Sequence, residues 1–181
     1  MTKSLAIIVG STRTNRLGRS VAEWASELAS QHGYDNVELL DLKEINLPAF
    51  DAPVPPMYAP NESAPIKAWA AQIEAAERLV VLTPEYNQSI PASLKGAIDY
   101  LSAEWHNKPS AIVSYGYMGG GANAAKHLRE ILTFVKTDLI EETAAIQLGE
   151  ETTAEGTFHG DKTTEAEQAS LVAVLATLAD K

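Results

Sequence analysis

The sequence predicts an α/β fold in which one parallel sheet is covered by helices on both faces. Short apolar runs alternate along the chain with segments whose apolar residues recur at helical spacing. Such alternation is typical of parallel strands joined by crossover helices. The first run, Leu5–Val9, is continuously apolar, which is typical of a strand buried on both faces. Because 181 residues is the length of an ordinary domain, we expect a single domain over residues 1–181.

Strands are predicted at five places, with helices between and after them. The strand-like runs are Leu5–Val9, Val37–Leu42, Leu79–Thr83 and Ala111–Ser114, with a weaker fifth within Ile140–Leu148. The helical patterns span Val21–Ala29, Ile66–Ile73, Leu94–Leu101 and Ala124–Val135, and a last helix begins near Thr164. Five parallel strands in one domain favour the order 2-1-3-4-5 of a flavodoxin-like three-layer sandwich. Ligands of such sheets bind beyond the carboxyl ends of the strands, so the loops after strands one, three and four are candidates for a site.

The composition excludes several classes of function. The chain carries 14 Lys and Arg against 24 Asp and Glu, and its net charge of −10 disfavours nucleic acid and anionic membranes as partners. It has no cysteine, which excludes disulfides, thiolate nucleophiles and iron–sulfur clusters. The four histidines show no metal-ligand spacing, so we expect no metal site. The first apolar run is too short for a signal peptide or a membrane span, and we expect a soluble cytoplasmic protein.

The loop after the first strand has the composition of an anion site. Three arginines and four hydroxyl side chains lie between Gly10 and Ser20, just before a predicted helix. Helix N-termini offer free N–H groups and a partial positive charge, which together favour a phosphate. The glycine spacing matches neither a Rossmann fingerprint nor a P-loop, which favours a terminal phosphate monoester as the ligand. Asp41 lies near the position of the ribose-binding acid of a dinucleotide site, but this agreement alone is weak support for such a site. Ordinary N-capping with solvated arginines is the alternative.

Two further loops are expected at the same edge of the sheet. Thr83–Pro91 follows the third strand and Ser114–Gly121 follows the fourth. Each combines tyrosine with Gly or Pro, and glycines let backbone N–H groups approach a ligand closely. We therefore expect a phosphate in the first loop and a flat, polar-edged heterocycle between the other two. Flexible turns that begin helices are the alternative.

The motifs in these loops resemble those of the NAD(P)H-dependent FMN reductases. Gly-Ser-Thr-Arg follows the first strand and Pro-Glu-Tyr-Asn the third, and Trp-His-Asn-Lys-Pro leads to Ser-Tyr-Gly-x-x-Gly-Gly at the fourth. The family consists of flavodoxin-like flavoproteins that include quinone, azo-dye and chromate reductases. The resemblance covers residues 3–148 in motif order.

The resemblance implies that FMN is bound noncovalently at the three loops. The residues expected to hold its phosphate are Ser11 and Arg13, helped by Arg16, Gly18 and Ser20. Those expected to line its ring are Pro84, Glu85, Tyr86 and Asn87 on one side and Ser114, Tyr115, Gly116, Gly119 and Gly120 on the other. NADPH or NADH would supply a hydride, and two electrons would pass to a quinone or a similar small acceptor such as an azo dye, chromate or free flavin. Because the flavin carries this chemistry, no catalytic acid or base is expected.

The resemblance also implies a homodimer or a homotetramer. Its subunits would pair through the helix from Ala92 to Leu101, and Trp105 and His106 are expected to approach the flavin of a neighbouring subunit. Six of the nine prolines lie in Pro48–Pro65, which excludes a regular helix or a central strand there. This segment is either a surface excursion or a loop that frames a site or a subunit contact.

Two other functions are left open by the sequence. A flavodoxin-type electron-transfer protein would also bind FMN and be acidic, so turnover alone would distinguish it from an enzyme. A flavin-free binding protein could retain the same fold, because a fold does not determine a function. The arginine-rich first loop favours the enzyme.

Overall fold

The computed structural model describes residues 3–181. Its strands are β1 Ser4–Val9, β2 Asn36–Asp41, β3 Leu79–Pro84, β4 Pro109–Gly116 and β5 Asp138–Gln147. Its helices are α1 Gly18–Gln31, α2 Leu42–Ile45, α3 Ala64–Ala75, α4 Ala92–Asp99, α5 Ala122–Phe134 and α6 Glu165–Ala179. Every predicted strand and helix is present, and the single-turn helix α2 is an addition to the prediction.

The strands form one parallel sheet in the order β2-β1-β3-β4-β5, which confirms the predicted flavodoxin-like topology. Ile8 of β1 pairs with Leu40 on one side and with Val81 on the other. The chain thus passes from one side of β1 to the other between β2 and β3. The loops after β1 and β3 lie side by side at the carboxyl edge, where ligands of such sheets bind.

Alternate residues of each strand point to opposite faces of the sheet and build two separate cores. Ile7 and Val9 belong to the core beneath α1 and α6, together with Val21 and Leu175. Ile8 belongs to the other core, beneath α3, α4 and α5. Burial on both faces explains why the sequence of β1 is apolar without interruption.

Most elements begin or end one or a few residues away from the predicted positions, and β5, β2 and α4 are examples. The edge strand β5 runs from Asp138 to Gln147, and its partly exposed face explains why its apolar signal is weak. The second strand ends at Asp41, whose carboxylate accepts a hydrogen bond from the Lys43 N–H at 3.0 Å and caps α2. Helix α4 ends at Asp99, two residues before the predicted end.

Trp105 is buried in the core of its own chain, so the prediction that it reaches a neighbouring flavin is wrong. Its side chain is fully enclosed, and its indole N–H donates to the Ile98 carbonyl at 3.1 Å. Its ring packs edge-on against Trp69. Packing beneath the helices satisfies both the apolar ring and the polar N–H of an indole, which leaves nothing of Trp105 to contact a ligand. His106 is exposed.

No helix within residues 3–181 is long and apolar enough to cross a membrane. Over the same range, no three His, Asp or Glu side chains are grouped so that they could hold a metal ion.

Candidate functional site

The carboxyl edge of the sheet holds a cleft of about 330 Å³ between the three predicted loops. Arg13 and Arg16 line it from the loop after β1. Glu85 and Tyr86 line it from the loop after β3, and Gly116 lines it from the end of β4. The topology therefore brings the three loops together, as the alternation of strands and helices predicts.

The first loop has many backbone donors without acceptors. The N–H groups from Ser11 to Ser20 make no hydrogen bond of normal geometry within residues 3–181. The N-cap of α1 is Leu17, which has no side-chain acceptor, and the first turn of the helix carries no acidic residue. Free N–H groups at the start of a helix form a site that suits an anion.

The loop is held in place by side chains rather than by its backbone. Ser11 is fully buried, and its Oγ lies 2.6 Å from the Tyr86 hydroxyl oxygen. The Arg13 guanidinium lies over the Tyr86 ring, 5.8 Å from the ring centroid. Lys43 Nζ donates to the Arg13 carbonyl at 3.5 Å. The first and second loops are therefore linked through Tyr86.

The three arginines of the loop differ in their partners. Arg16 Nη2 lies 2.5 Å from Asp41 Oδ2. Arg19 forms ion pairs with Glu23 at 2.8 Å and Glu44 at 3.0 Å, and lies 3.5 Å from Asp41. Of the three, only Arg13 has no carboxylate partner in the described part of the chain. The positive charge available to a ligand is thus concentrated at Arg13, and Asp41, enclosed by arginines, is not placed to bind a ribose.

Gly18 and Ser20 have roles within the fold. A Cβ at Gly18 would lie 2.5 Å from the Tyr115 hydroxyl oxygen, so a side chain there would displace that tyrosine. The Ser20 hydroxyl donates to the Leu17 carbonyl at 2.9 Å and accepts from the Phe158 N–H at 3.0 Å. Since its one proton is already donated, this hydroxyl has none to offer a phosphate oxygen in this arrangement.

The second loop is a tight turn joined to helix α5. Tyr86 and Ser89 exchange backbone hydrogen bonds of 2.9 and 3.1 Å, and Asn87 has a φ of 51° at the tip. The Glu85 carboxylate accepts from the Asn123 N–H at 2.9 Å and so caps the start of α5. Pro84, Glu85 and Tyr86 line the cleft, whereas Asn87 lies outside its lining.

The third loop packs against the edge strand β5. The Ser114 hydroxyl donates to the Gly120 carbonyl at 2.8 Å, and the Gly120 N–H donates to the Gln147 side chain at 3.2 Å. Gly119 and Gly120 both have a φ of 61°, a left-handed backbone that favours glycine. Tyr115 and Gly116 line the cleft, whereas Ser114, Gly119 and Gly120 shape the loop from behind.

Tyr115 adds a second phenol beside Ser11. Burial raises the pKa of Tyr115, and the neighbouring Tyr86 raises it further. Its hydroxyl is therefore protonated across the physiological range and acts as a neutral hydrogen-bonding group. Two phenols and one buried serine thus surround the point where the first loop meets the other two.

A fourth wall of the cleft was missed by the sequence analysis. Leu148, Thr153 and Gly156, from the segment after β5, complete its lining. The Tyr117 hydroxyl donates to Thr153 Oγ1 at 3.4 Å, which joins this segment to the third loop. The signal was available, because β5 ends at the same edge as the other parallel strands and its loop also belongs to that edge.

Residues 3–151 match the family described as NADPH-dependent FMN reductase. The chain belongs to this family. The reductase is 34% identical over 158 residues to an NAD(P)H-dependent FMN reductase of Schizosaccharomyces pombe, an alignment that covers 86% of this chain and 78% of that protein. It is 37% identical over 148 residues to a quinone reductase of Pseudomonas putida, and this alignment covers 73% of this chain and 70% of that protein. It superposes on FerB, a flavoenzyme NAD(P)H:(acceptor) oxidoreductase from Paracoccus denitrificans, with a TM-score of 0.77, 26% identity, and 99% and 98% of the two chains covered.

FMN is therefore the cofactor of this reductase, and NAD(P)H is its hydride donor. The residues present fit that cofactor. A guanidinium without an ion-pair partner and a run of unpaired N–H groups suit a phosphate dianion. The N–H groups of Asn87 and Gln88 also make no hydrogen bond within residues 3–181, which leaves donors for a heterocycle on the second loop. When bound, FMN supplies the redox chemistry, and the protein supplies orientation and electrostatics.

Proposed function

We infer that the reductase holds FMN in the cleft at the carboxyl edge and uses it to reduce a quinone with NAD(P)H. The observation that carries this inference is the pairing of Arg13, free of any carboxylate in residues 3–181, with the unpaired N–H groups of Ser11–Ser20 beside the cleft. In a chain of net charge −10, this is a local positive site. A phosphate monoester satisfies both the charge and the donors.

The first-loop residues divide between holding the phosphate and shaping the loop. Arg13 holds the phosphate together with the loop N–H groups, whereas Ser11, which is fully buried and hydrogen-bonded to Tyr86, fixes the loop. Arg16 is a second cation near the phosphate, but it is held by Asp41. Gly18 leaves room for Tyr115, and Ser20 fixes the start of α1.

The second and third loops hold the two sides of the ring. Pro84, Tyr86, Tyr115 and Gly116 line the cleft and contact the ring. Glu85, Ser114 and Gly120 anchor these loops through the hydrogen bonds described above, Gly119 allows the turn, and Asn87 presents its N–H from the tip of the second loop. Backbone N–H groups near the polar edge of the ring favour the negative charge that it gains on reduction.

A quinone is the acceptor that the structure and the relatives favour together. The Pseudomonas putida relative is named a quinone reductase. Tyr117 and Met118 are 63% and 83% exposed beside the cleft, and such side chains suit a flat apolar acceptor. Azo dyes, chromate and free flavin are further acceptors that an open cleft of this kind admits.

The decisive experiment is anaerobic reduction followed by mixing with an acceptor. The purified protein reconstituted with FMN is expected to lose its yellow absorbance when mixed with NADPH or NADH, and to regain it when a benzoquinone is added. Stopped-flow absorbance measures both half-reactions, and their rates give the preferred nicotinamide. Protein that stays colourless after incubation with FMN would contradict the inference.

Steady-state turnover separates the enzyme from an electron carrier. A flavodoxin-type carrier would bind FMN but would not oxidise NAD(P)H repeatedly with a quinone. We expect continuous loss of nicotinamide absorbance at 340 nm, proportional to the amount of holoprotein. Binding of FMN without turnover would support the carrier instead.

We also propose that two copies of the chain pair through α4. Three of the exposed large apolar side chains lie near this helix: Phe50 and Met57 are in the proline-rich segment, and Phe134 is at the end of α5. A groove of about 770 Å³ separates α4 from Phe50, and a second of about 400 Å³ lies between α4, Met57 and Phe134. A second copy would cover these surfaces and would give Pro48–Pro65 a role in a subunit contact.

Replacing Phe134 by glutamate is expected to convert the dimer to a monomer. Phe134 is 85% exposed, so the change costs little within one chain, whereas a carboxylate buried between two copies is unfavourable. Light scattering coupled to size-exclusion chromatography measures the mass. Ser30→Glu adds the same charge to α1, on the opposite face of the sheet, and is expected to leave the mass unchanged. Equal masses for wild type and Phe134→Glu would contradict the α4 interface.

A further inference from the structure

We propose that Asp41 is a positioning residue for the FMN phosphate, acting through Arg16 on the loop after β1. Asp41 is the last residue of β2, and its carboxylate is fully buried. It does not line the cleft. Its role would be to hold the phosphate loop in its binding conformation before FMN arrives.

The position of the loop after β1 depends on a few side-chain contacts, and the Arg16–Asp41 ion pair is one of them. Residues 11–16 make no backbone–backbone hydrogen bond with the rest of residues 3–181, so side chains supply the hydrogen bonds that tie this loop to the rest of the chain. Ser11 ties one end of the loop to Tyr86, and Lys43 reaches the Arg13 carbonyl at 3.5 Å. Arg16 ties the other end to Asp41.

The Arg16 guanidinium is enclosed as well as paired. Its side chain is 11% exposed, and its Nε is buried with no hydrogen-bond partner in the described residues. A buried guanidinium that leaves one donor unused is costly, and Asp41 is the carboxylate that offsets this cost. The same carboxylate also accepts from the Lys43 N–H at 3.0 Å, so the end of β2, the start of α2 and the phosphate loop share one anchor.

A held loop binds phosphate more tightly than a mobile one. Ordering a loop on binding consumes part of the binding free energy, and a loop that is already ordered avoids that cost. Without Asp41, the Arg16 end of the loop would lose its ion pair, and that end would have to be ordered when FMN binds. Asp41 should therefore raise the affinity only for ligands that carry the phosphate.

The test compares FMN with riboflavin, which lacks the phosphate, on the apoprotein of Asp41→Asn. Quenching of flavin fluorescence measures both dissociation constants. We expect that for FMN to rise about tenfold or more and that for riboflavin to stay within about twofold. The substitution makes the site more positive, which by itself would tighten FMN binding, so weaker FMN binding is a stringent result. Unchanged or tighter FMN binding, or an equal loss for both ligands, would overturn the proposal.

Two further variants separate positioning from general damage to the fold. Glu44→Gln removes a 69%-exposed partner of Arg19 from the same charge network without touching Arg16, and is expected to leave both constants unchanged. Arg16→Gln breaks the ion pair from the loop side and keeps the proposal testable if Asp41→Asn does not fold. Arg16→Gln should show the same selective loss of FMN affinity, and the double variant should be no worse than either single one. Additive losses would overturn the proposal, because residues that act through one contact are not independent.

Discussion

Replacing Arg13 by alanine is expected to weaken FMN binding by about 10- to 100-fold. Arg13 is the cation of the first loop that no carboxylate of residues 3–181 engages, and a charge-assisted hydrogen bond is worth about 1.5–3 kcal/mol. Arg16 and Arg19 cannot replace it, because Asp41, Glu23 and Glu44 hold them. Titration of the apoprotein by flavin fluorescence measures the loss.

Riboflavin and a distant charge variant are the controls for this prediction. The affinity for riboflavin should change by no more than about twofold, because Arg13 acts on the phosphate. Lys3→Ala removes the same charge just before β1, at the edge of the sheet opposite to the cleft, and should change neither affinity. An equal loss for FMN and riboflavin would show that Arg13 serves the ring, through its position over Tyr86, rather than the phosphate.

The architecture was predictable because its signal is repeated along the chain. A buried parallel strand such as β1 must be apolar on both faces, and each helix needs one apolar face, so hydrophobic spacing alone gives the order of elements. Five parallel strands in one domain favoured the order 2-1-3-4-5, which the fold has. The edge strand β5 gave the weakest signal because one of its faces is partly exposed. Trp105 was misplaced because spacing cannot say whether a ring lies in its own core or at a partner's surface.

The candidate site was predictable as a set of loops but not as a set of contacts. Parallel strands bring their carboxyl ends to one edge, and this is why residues distant in sequence, such as Arg13, Tyr86 and Tyr115, line one cleft. The partners of the three arginines were not predictable, since Asp41 and Glu44 lie more than twenty residues away along the chain. From their spacing in the sequence the three arginines are equivalent, whereas in the fold two of them form ion pairs with carboxylates.

Replacing Gly120 by alanine is expected to lower the free energy of unfolding by about 2–4 kcal/mol. A Cβ at Gly120 would lie 2.7 Å from the Ala145 carbonyl carbon and 2.9 Å from the Ile146 nitrogen. These are backbone atoms of β5, which pairs with β4 at this point, so they cannot move aside without disturbing the sheet. Urea unfolding of the apoprotein, followed by circular dichroism, measures the loss.

Gly119→Ala is the matched control, because it separates backbone strain from close packing. Gly119 has the same φ of 61° as Gly120, but no atom lies within 4 Å of its Cβ position. Gly119→Ala should lower the free energy of unfolding by only about 1 kcal/mol, which is the cost of placing an alanine in the left-handed backbone region. The difference between the two variants then measures the free-energy cost of the steric overlap between the third loop and β5. If both variants lose the same free energy, backbone conformation alone sets the cost, and the prediction that close contact with β5 excludes a Cβ at Gly120 is wrong.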